Sequence, residues 1–159
     1  MAGKSLQSKL IYSFLKKILA IQENHSTNLG TLKNVLIIRQ HNQLGDQLAG
    51  VSLFRAIKEK YPDSKIYIIV SPVNKSAVEK NKFIDSYFVF DKPKIFTPLR
   101  FIKFIKYLRQ EFDAVIVPVT VSVSFTSNLI ARISNSKIRI GPNSLDGKPN
   151  EAAFFFDRR

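Results

Sequence analysis

The sequence predicts an α/β protein: a doubly wound parallel sheet preceded by an amphipathic helix. Three observations carry that expectation. Short apolar, β-branched runs alternate along the chain with stretches of helical period. The run Val35–Ile38 reads as a strand buried on both faces, as the inner strands of a parallel sheet are. Polar or proline-bearing loops follow the strands, at Arg39–Leu44, Ser71–Asn74, Asp91–Pro93 and Gly141-Pro142.

The elements follow in order. Residues 4–21 read as the amphipathic helix, with Leu6, Leu10, Phe14, Ile18 and Ile21 in one stripe, widened by Ile11, Leu15 and Leu19. Ser5, Lys9, Ser13, Lys16 and Lys17 fill the polar arc. The segment has no small-residue cleavage site and no long uninterrupted apolar core, so it is not a signal peptide. Two fates stay open for its stripe: docking on the rest of the protein, or lying on an anionic membrane surface. Gly3-Lys4-Ser5 lacks the upstream glycine of a P-loop. Residues 22–33 are polar and turn-rich and read as a linker.

After the first strand and its polar loop come Gly45 and Asp46, and from Asp46 the period turns helical. Leu53, Phe54, Ile57 and Tyr61 recur at three- and four-residue steps until Pro62 stops the helix. In open α/β sheets ligands sit at the carboxyl ends of strands, so chemistry is expected in the loop Gln40–Asp46. Asp46 has two readings: a helix N-cap contributing about 1 kcal/mol, or a general base at the strand end. Position alone favours the cap. Gly45 lets the backbone turn, or lets a substrate approach closely.

Lys65–Val70 reads as the second strand, residues 75–81 as a short helix and Tyr87–Phe90 as the third strand. Pro98–Phe112 reads as a helix whose Phe101, Phe104, Ile105, Leu108 and Phe112 pack on the sheet, while Arg100, Lys103, Lys106 and Gln110 face away. Ala114–Val119 is a central fourth strand, and the hydroxyl-rich stretch Ser122–Ser127 caps a helix over Thr126–Ile133, within reach of a sugar. Ile138–Ile140 is the fifth strand, residues 143–150 a loop, and Ala152–Phe156 a last apolar run. The alternation implies a doubly wound sheet with right-handed crossovers, and the expected strand order is 3-2-1-4-5, with the first strand beside the switch point and Asp46 at its mouth. No Gly-x-Gly-x-x-Gly fingerprint is present.

Composition narrows the function classes. A chain of 159 residues, 45% hydrophobic and 23% charged, suits one globular domain with a sizeable core. No apolar run approaches the ~20 residues of a membrane span. Cysteine is absent, which removes disulfides and thiolate metal sites and fits a reducing cytosol. With only His25 and His41, an all-protein zinc site is not expected. The formal charge of +13 points to an anionic partner: nucleic acid, acidic membrane, or a phosphorylated or carboxylated glycan. Basic residues are spread without a block, and zinc-finger, RNP-type and helix-turn-helix patterns are missing, so nucleic acid is the weaker choice.

The run Arg39-Gln40-His41-Asn42-Gln43-Leu44-Gly45-Asp46, followed by Leu53-Phe54-Arg55-Ala56-Ile57-Lys58 and Tyr61-Pro62-Asp63, resembles the amino-terminal segment of glycosyltransferase family nine. Those are the lipopolysaccharide heptosyltransferases and their relatives. The similarity continues through Ile66–Ser71, Asn81–Asp85 and Asp113–Pro118, and covers about residues 33 to 157. Ser52-Leu53 departs from it, since many members carry a proline there, and the His-Asn-Gln insert is not universal. Both departures leave the acceptor open.

The resemblance implies a Rossmann-like fold, the amino-terminal half of a GT-B glycosyltransferase. Residues 1–33 would be helix and linker, residues 34–159 the acceptor-side domain, and a carboxyl-terminal donor-binding domain is absent from this chain, which alone would be inactive. It implies inverting, metal-independent transfer of a sugar from a nucleotide-sugar donor to lipopolysaccharide or another cell-envelope glycan. Asp46 is then the catalytic base, with Gly45, Gln40, His41, Asn42 and Gln47 binding substrate. No metal and no covalent cofactor is expected. Expected partners are an acidic glycan or glycolipid acceptor, the missing domain and the anionic inner-membrane surface through residues 4–21, with no nucleic acid. The expected location is cytoplasmic, peripheral on the cytoplasmic face of that membrane. A non-enzymatic acceptor- or membrane-binding half-domain is the alternative, and a nucleic-acid-binding basic domain a weaker one.

Overall fold

The computed structural model describes residues 6–40, 50–119 and 122–159. Five parallel strands, β1 (Asn34–Arg39), β2 (Lys65–Val70), β3 (Ser86–Val89), β4 (Phe112–Ile116) and β5 (Ser136–Ile140), pair in the order β3-β2-β1-β4-β5. That is the order expected from the sequence. The helices are α1 (Leu6–Leu19), α2 (Val51–Lys60), α3 (Lys75–Glu79), α4 (Pro98–Leu108) and α5 (Phe125–Ile133). The protein is thus an α/β, Rossmann-like sheet with helices on both faces.

The alternation of β1 side chains explains its uninterrupted apolar run. Val35 and Ile37 join Phe54 and Ile57 of α2 and Val78 of α3 on one face. Leu36 and Ile38 join Phe104 and Leu108 of α4 and Ile130 of α5 on the other. Neither set sees solvent, so no position from 35 to 38 has room for a polar residue.

Several boundaries differ from the sequence reading. Helix α4 stops at Leu108, and Phe112 opens β4, where its ring meets Tyr67 edge-on at 5.3 Å. The cause is parallel pairing: the Phe112 N–H bonds to the Asn135 carbonyl, and the Asn135 N–H bonds back to Leu108. Phe101, expected on the buried face, is 43% exposed and stacks on Phe96 outside the sheet. Residues 143–150, read as loop, contain a hairpin of Ser144–Leu145 and Lys148–Pro149. Its turn, Asp146-Gly147, has positive φ at both residues, the backbone that two-residue hairpins require. At Gly141, just past β5, an added Cβ would overlap the buried Phe156 ring, so a hydrogen is what lets that ring seat against the chain.

The amino-terminal helix docks. Tyr12, Leu15 and Leu19 pack on Phe125, Leu129 and the 3-10 turn Ala153–Phe155, with Tyr12 edge-on to Phe125 at 5.5 Å. Arg132 donates to the Leu19 carbonyl at 2.7 Å. Phe14 and Ile18, members of the main sequence stripe, stay exposed. The segment read as linker runs along the last residues: Ile21 N–H bonds to Phe154, Asn24 N–H to Asp157, and Arg158 donates to the Asn24 carbonyl. Leu32 then tucks under the opposite face of the sheet.

Carboxylates clamp the amino-terminal ends of the strands. Asp113 accepts the N–H groups of Lys33 (2.8 Å) and Asn34 (3.0 Å) on one oxygen and the Lys137 ammonium (2.8 Å) on the other. Asp85 accepts the Ile66 N–H and the Lys58 ammonium, each at 2.8 Å. Burial works to raise both carboxyls, but the hydrogen bonds from lysine and backbone outweigh it and hold both below the ordinary value of 3.8. A carboxyl lowered on folding stabilises fully above its unfolded pKa, and that contribution is lost as pH falls through the folded one. Asp113→Ala should therefore reduce unfolding free energy by about 1–3 kcal/mol near neutral pH, because two strand-start N–H groups lose their acceptor. Urea denaturation across pH checks it: the gap to the parent should persist down to about pH 4 and close below it.

Candidate functional site

The order β3-β2-β1-β4-β5 puts the topological switch at β1 and β4, which are followed by helices on opposite faces of the sheet, α2 and α5. On the β1 side, Gln40 is the last described residue before the loop, and Gly50 the first after it. The expected site residues His41, Asn42, Gly45, Asp46 and Gln47 lie outside the described residues, as does the N-cap reading of Asp46. On the β4 side, Val117–Val119 and Ser122–Ser124 lead into α5.

Gln40 joins the two sides. Its side-chain amide donates to Ser127 Oγ at 3.0 Å and to Ser124 Oγ at 3.3 Å. Ser124 in turn caps α5 by accepting the Ser127 N–H at 3.3 Å, the role expected for the hydroxyl-rich stretch. Gln40 and Ser127 are both buried, so this is a brace across the floor of the crevice. The Gln40 Oε1 has no hydrogen-bond partner among the described residues. A buried acceptor of this kind leaves one hydrogen bond for a ligand, a water or a neighbouring chain segment to supply.

Beside the brace lies a cavity of about 480 Å³ at the carboxyl ends of β1, β2 and β3. Gln40, Ser71, Pro72, Val73, Phe90, Asp91, Lys92 and Pro93 line it. Its walls are apolar at Val73 and Phe90, with Ser71, Asp91 and Lys92 as polar points. That mixture fits a hydroxylated ligand carrying negative charge. The sequence reading took Ser71–Asn74 and Asp91–Pro93 only as strand breaks. The signal for their role was available, since each follows a strand of a parallel sheet at the ligand-bearing end. A second hollow of about 390 Å³ opens between α1, the start of α5 and the hairpin, lined by Tyr12, Val123, Phe125, Lys148 and Glu151 among others. Asn150 holds that wall in place: it accepts from Asn128 at 3.1 Å and from the Ala152 N–H at 3.0 Å, and donates to the Pro142 carbonyl at 2.8 Å.

No cluster of three metal-ligating side chains occurs among the described residues. Chemically the arrangement offers a braced floor, hydroxyl and amide contacts, one cation in the cavity wall, and the positive end of α5.

Among solved structures, the chain is similar to E. coli heptosyltransferase WaaC with ADP, with a TM-score of 0.64. The likeness is one of fold. The superposition covers 79% of this chain and 41% of WaaC, at 15% sequence identity. This chain therefore spans less than half of the length of WaaC. No family model and no curated protein matches the sequence. The resemblance read from residues 33 to 157 and the WaaC likeness thus agree on a GT-B, Rossmann-like fold.

The brace yields a direct test. Gln40→Ala removes the amide from the buried Ser127 hydroxyl and the half-buried Ser124 hydroxyl, and should lower stability by about 1–3 kcal/mol in urea denaturation. Ser124→Ala, which loses the cap as well as one partner of the amide, should cost about 0.5–2 kcal/mol. The double variant should fall short of the sum, because the two residues share one network.

Proposed function

We propose that this chain is the acceptor-side half of an inverting, heptosyltransferase-like glycosyltransferase. It moves a sugar from a nucleotide-sugar donor to lipopolysaccharide or another acidic cell-envelope glycan. The observation that carries this reading is the heptosyltransferase fold, with its crevice at the carboxyl end of β1, where the sequence continues into Gly45-Asp46.

In this reading the Asp46 carboxylate takes the proton from an acceptor hydroxyl as its oxygen attacks the anomeric carbon. The bond from that carbon to the nucleotide diphosphate breaks on the opposite face, so the configuration inverts. Gly45, Gln40, His41, Asn42 and Gln47 hold the acceptor sugar, and Gly45 lets it come close to the backbone. Cationic side chains, Lys92 of the cavity wall among them, hold acceptor phosphates or carboxylates, which is the use for a charge of +13. The donor nucleotide is held by a second domain, since a site of this type gains its rate by fixing both reactants between two halves. No metal enters the step.

Among the described residues no helix is long and apolar enough to cross a membrane. The location that suits this activity is the cytoplasm, at the inner face of the inner membrane, where a lipid-borne acceptor is met.

Two measurements test this reading. In an enzyme completed with a donor-binding domain, Asp46→Asn should lower turnover by about 10²–10⁴-fold, the usual contribution of a general base. Folding should be retained, because Asn caps a helix about as well as Asp. Unchanged turnover would leave Asp46 as a cap alone. The 159-residue chain by itself should show no transfer and bind nucleotide-sugars only at about millimolar or weaker. A micromolar constant in calorimetry would place the donor pocket in this half instead.

A further inference from the structure

We infer that the surface formed by the β3–α4 loop and the outer side of α4 is a membrane-docking face, one that seats on a bilayer containing anionic lipid. The first observation is apolar exposure. Phe96 is 79% exposed, Leu99 65% and Ile102 63%, and Phe101 stacks on Phe96 at 6.4 Å between ring centroids. Leu99 and Ile102 stand one helical turn apart, so they share a side of α4, opposite the buried Phe104 and Leu108. Monomeric proteins rarely gather large side chains in this way without a partner.

The second observation is the charge around them. From Lys92 to Lys106 the chain carries Lys92, Lys94, Arg100, Lys103 and Lys106, and no acidic residue. All five are exposed. The acid facing this group is Asp91, which lies 3.9 Å from Lys94 and 4.0 Å from Arg100, at the limit of ion pairing. An apolar centre with a rim of one charge sign matches a bilayer with anionic headgroups: the large side chains enter the acyl boundary while the lysine stems reach back to the phosphates. A nucleic-acid partner would not call for Phe96, Leu99 and Ile102 in water, and a protein partner would not call for a rim of a single sign.

The third observation is position. Helix α4 begins at the carboxyl end of the sheet, and Phe90–Pro93, immediately before the patch, line the 480 Å³ cavity. A bilayer under Phe96, Leu99 and Ile102 would bring lipid headgroups to the mouth of that cavity. This last point rests on the glycosyltransferase reading; the docking surface does not.

Co-sedimentation with vesicles tests the surface, using phosphatidylcholine alone and phosphatidylcholine mixed with phosphatidylglycerol. The vesicles carry no glycan, so the outcome bears on docking and leaves transfer to the Asp46 test. The parent chain should bind the mixed vesicles, and less with added salt. The triple variant Phe96→Ser/Leu99→Ser/Ile102→Ser should bind about tenfold more weakly or worse, from the apolar area no longer buried. Lys103→Glu/Lys106→Glu should lose the preference for phosphatidylglycerol. All five positions are exposed, so unchanged circular dichroism and melting are expected of both variants. Phe14→Ser/Ile18→Ser, on the exposed edge of α1, serves as the control. Loss of binding in that control with full binding by the triple variant would overturn the proposal in favour of α1. A parent chain that ignores the vesicles but self-associates, and becomes monomeric in the triple variant, would overturn it in favour of a second copy.

Discussion

Burial of β1 on both faces is the constraint on which the rest of this structure depends. A strand without a solvent face accepts only apolar side chains, and its backbone groups must be paired by strands on either side. Here β2 and β4 do so in parallel register, and helices from the two halves of the chain cover the two faces. Parallel neighbours need crossovers, and the right-handed crossovers put α2 and α3 on one side and α4 and α5 on the other. The same arrangement sends the helices that follow β1 and β4 to opposite faces of the sheet, which marks the switch point. The switch point follows from burying β1.

The crevice floor depends on one polar brace within an otherwise apolar region. Gln40 emerges from the end of β1 already buried, and its amide meets the hydroxyls of Ser124 and Ser127. That contact sets the distance between the β1 end and the amino terminus of α5, the two structures that flank any ligand at the switch point. Away from the crevice, at the amino-terminal ends of the strands, Asp85 and Asp113 perform the matching task with backbone N–H groups. The sheet is therefore held by carboxylates at one edge and by an uncharged network at the other.

The amino-terminal helix shows how docking and exposure divide a single amphipathic segment. Its apolar surface is wider than one contact requires. Tyr12, Leu15 and Leu19 meet the aromatic residues of the last turn, while Phe14 and Ile18 remain in water. The following polar stretch is tied to Phe154 and Asp157 by main-chain hydrogen bonds and to Arg158 through its side chain, so helix, tail and α5 make one cluster. The exposed side chains of α4 arise differently: its inward face is filled by Phe104 and Leu108, which leaves Leu99 and Ile102 no neighbour to cover them.

Periodicity determined that strands and helices alternate and that β1 lies inside the sheet, and the expected order 3-2-1-4-5 is the one the structure has. These follow from local pattern and from the handedness of crossovers, both of which a sequence carries. The reading of Leu44-Gly45-Asp46 came from the resemblance to a family, and it falls on residues 41–49, outside the described structure. Tertiary structure decided the rest. Phe112 has helical spacing from Leu108, yet the Asn135 carbonyl draws it into β4. Phe101 has core composition but points outward, because Phe104 and Leu108 already fill the groove over the sheet. Tyr12 docks while Phe14 does not, and Gln40 meets serines more than eighty positions away. A period states that a segment has an apolar side; only the shape of the neighbour selects which side chains that side will bury.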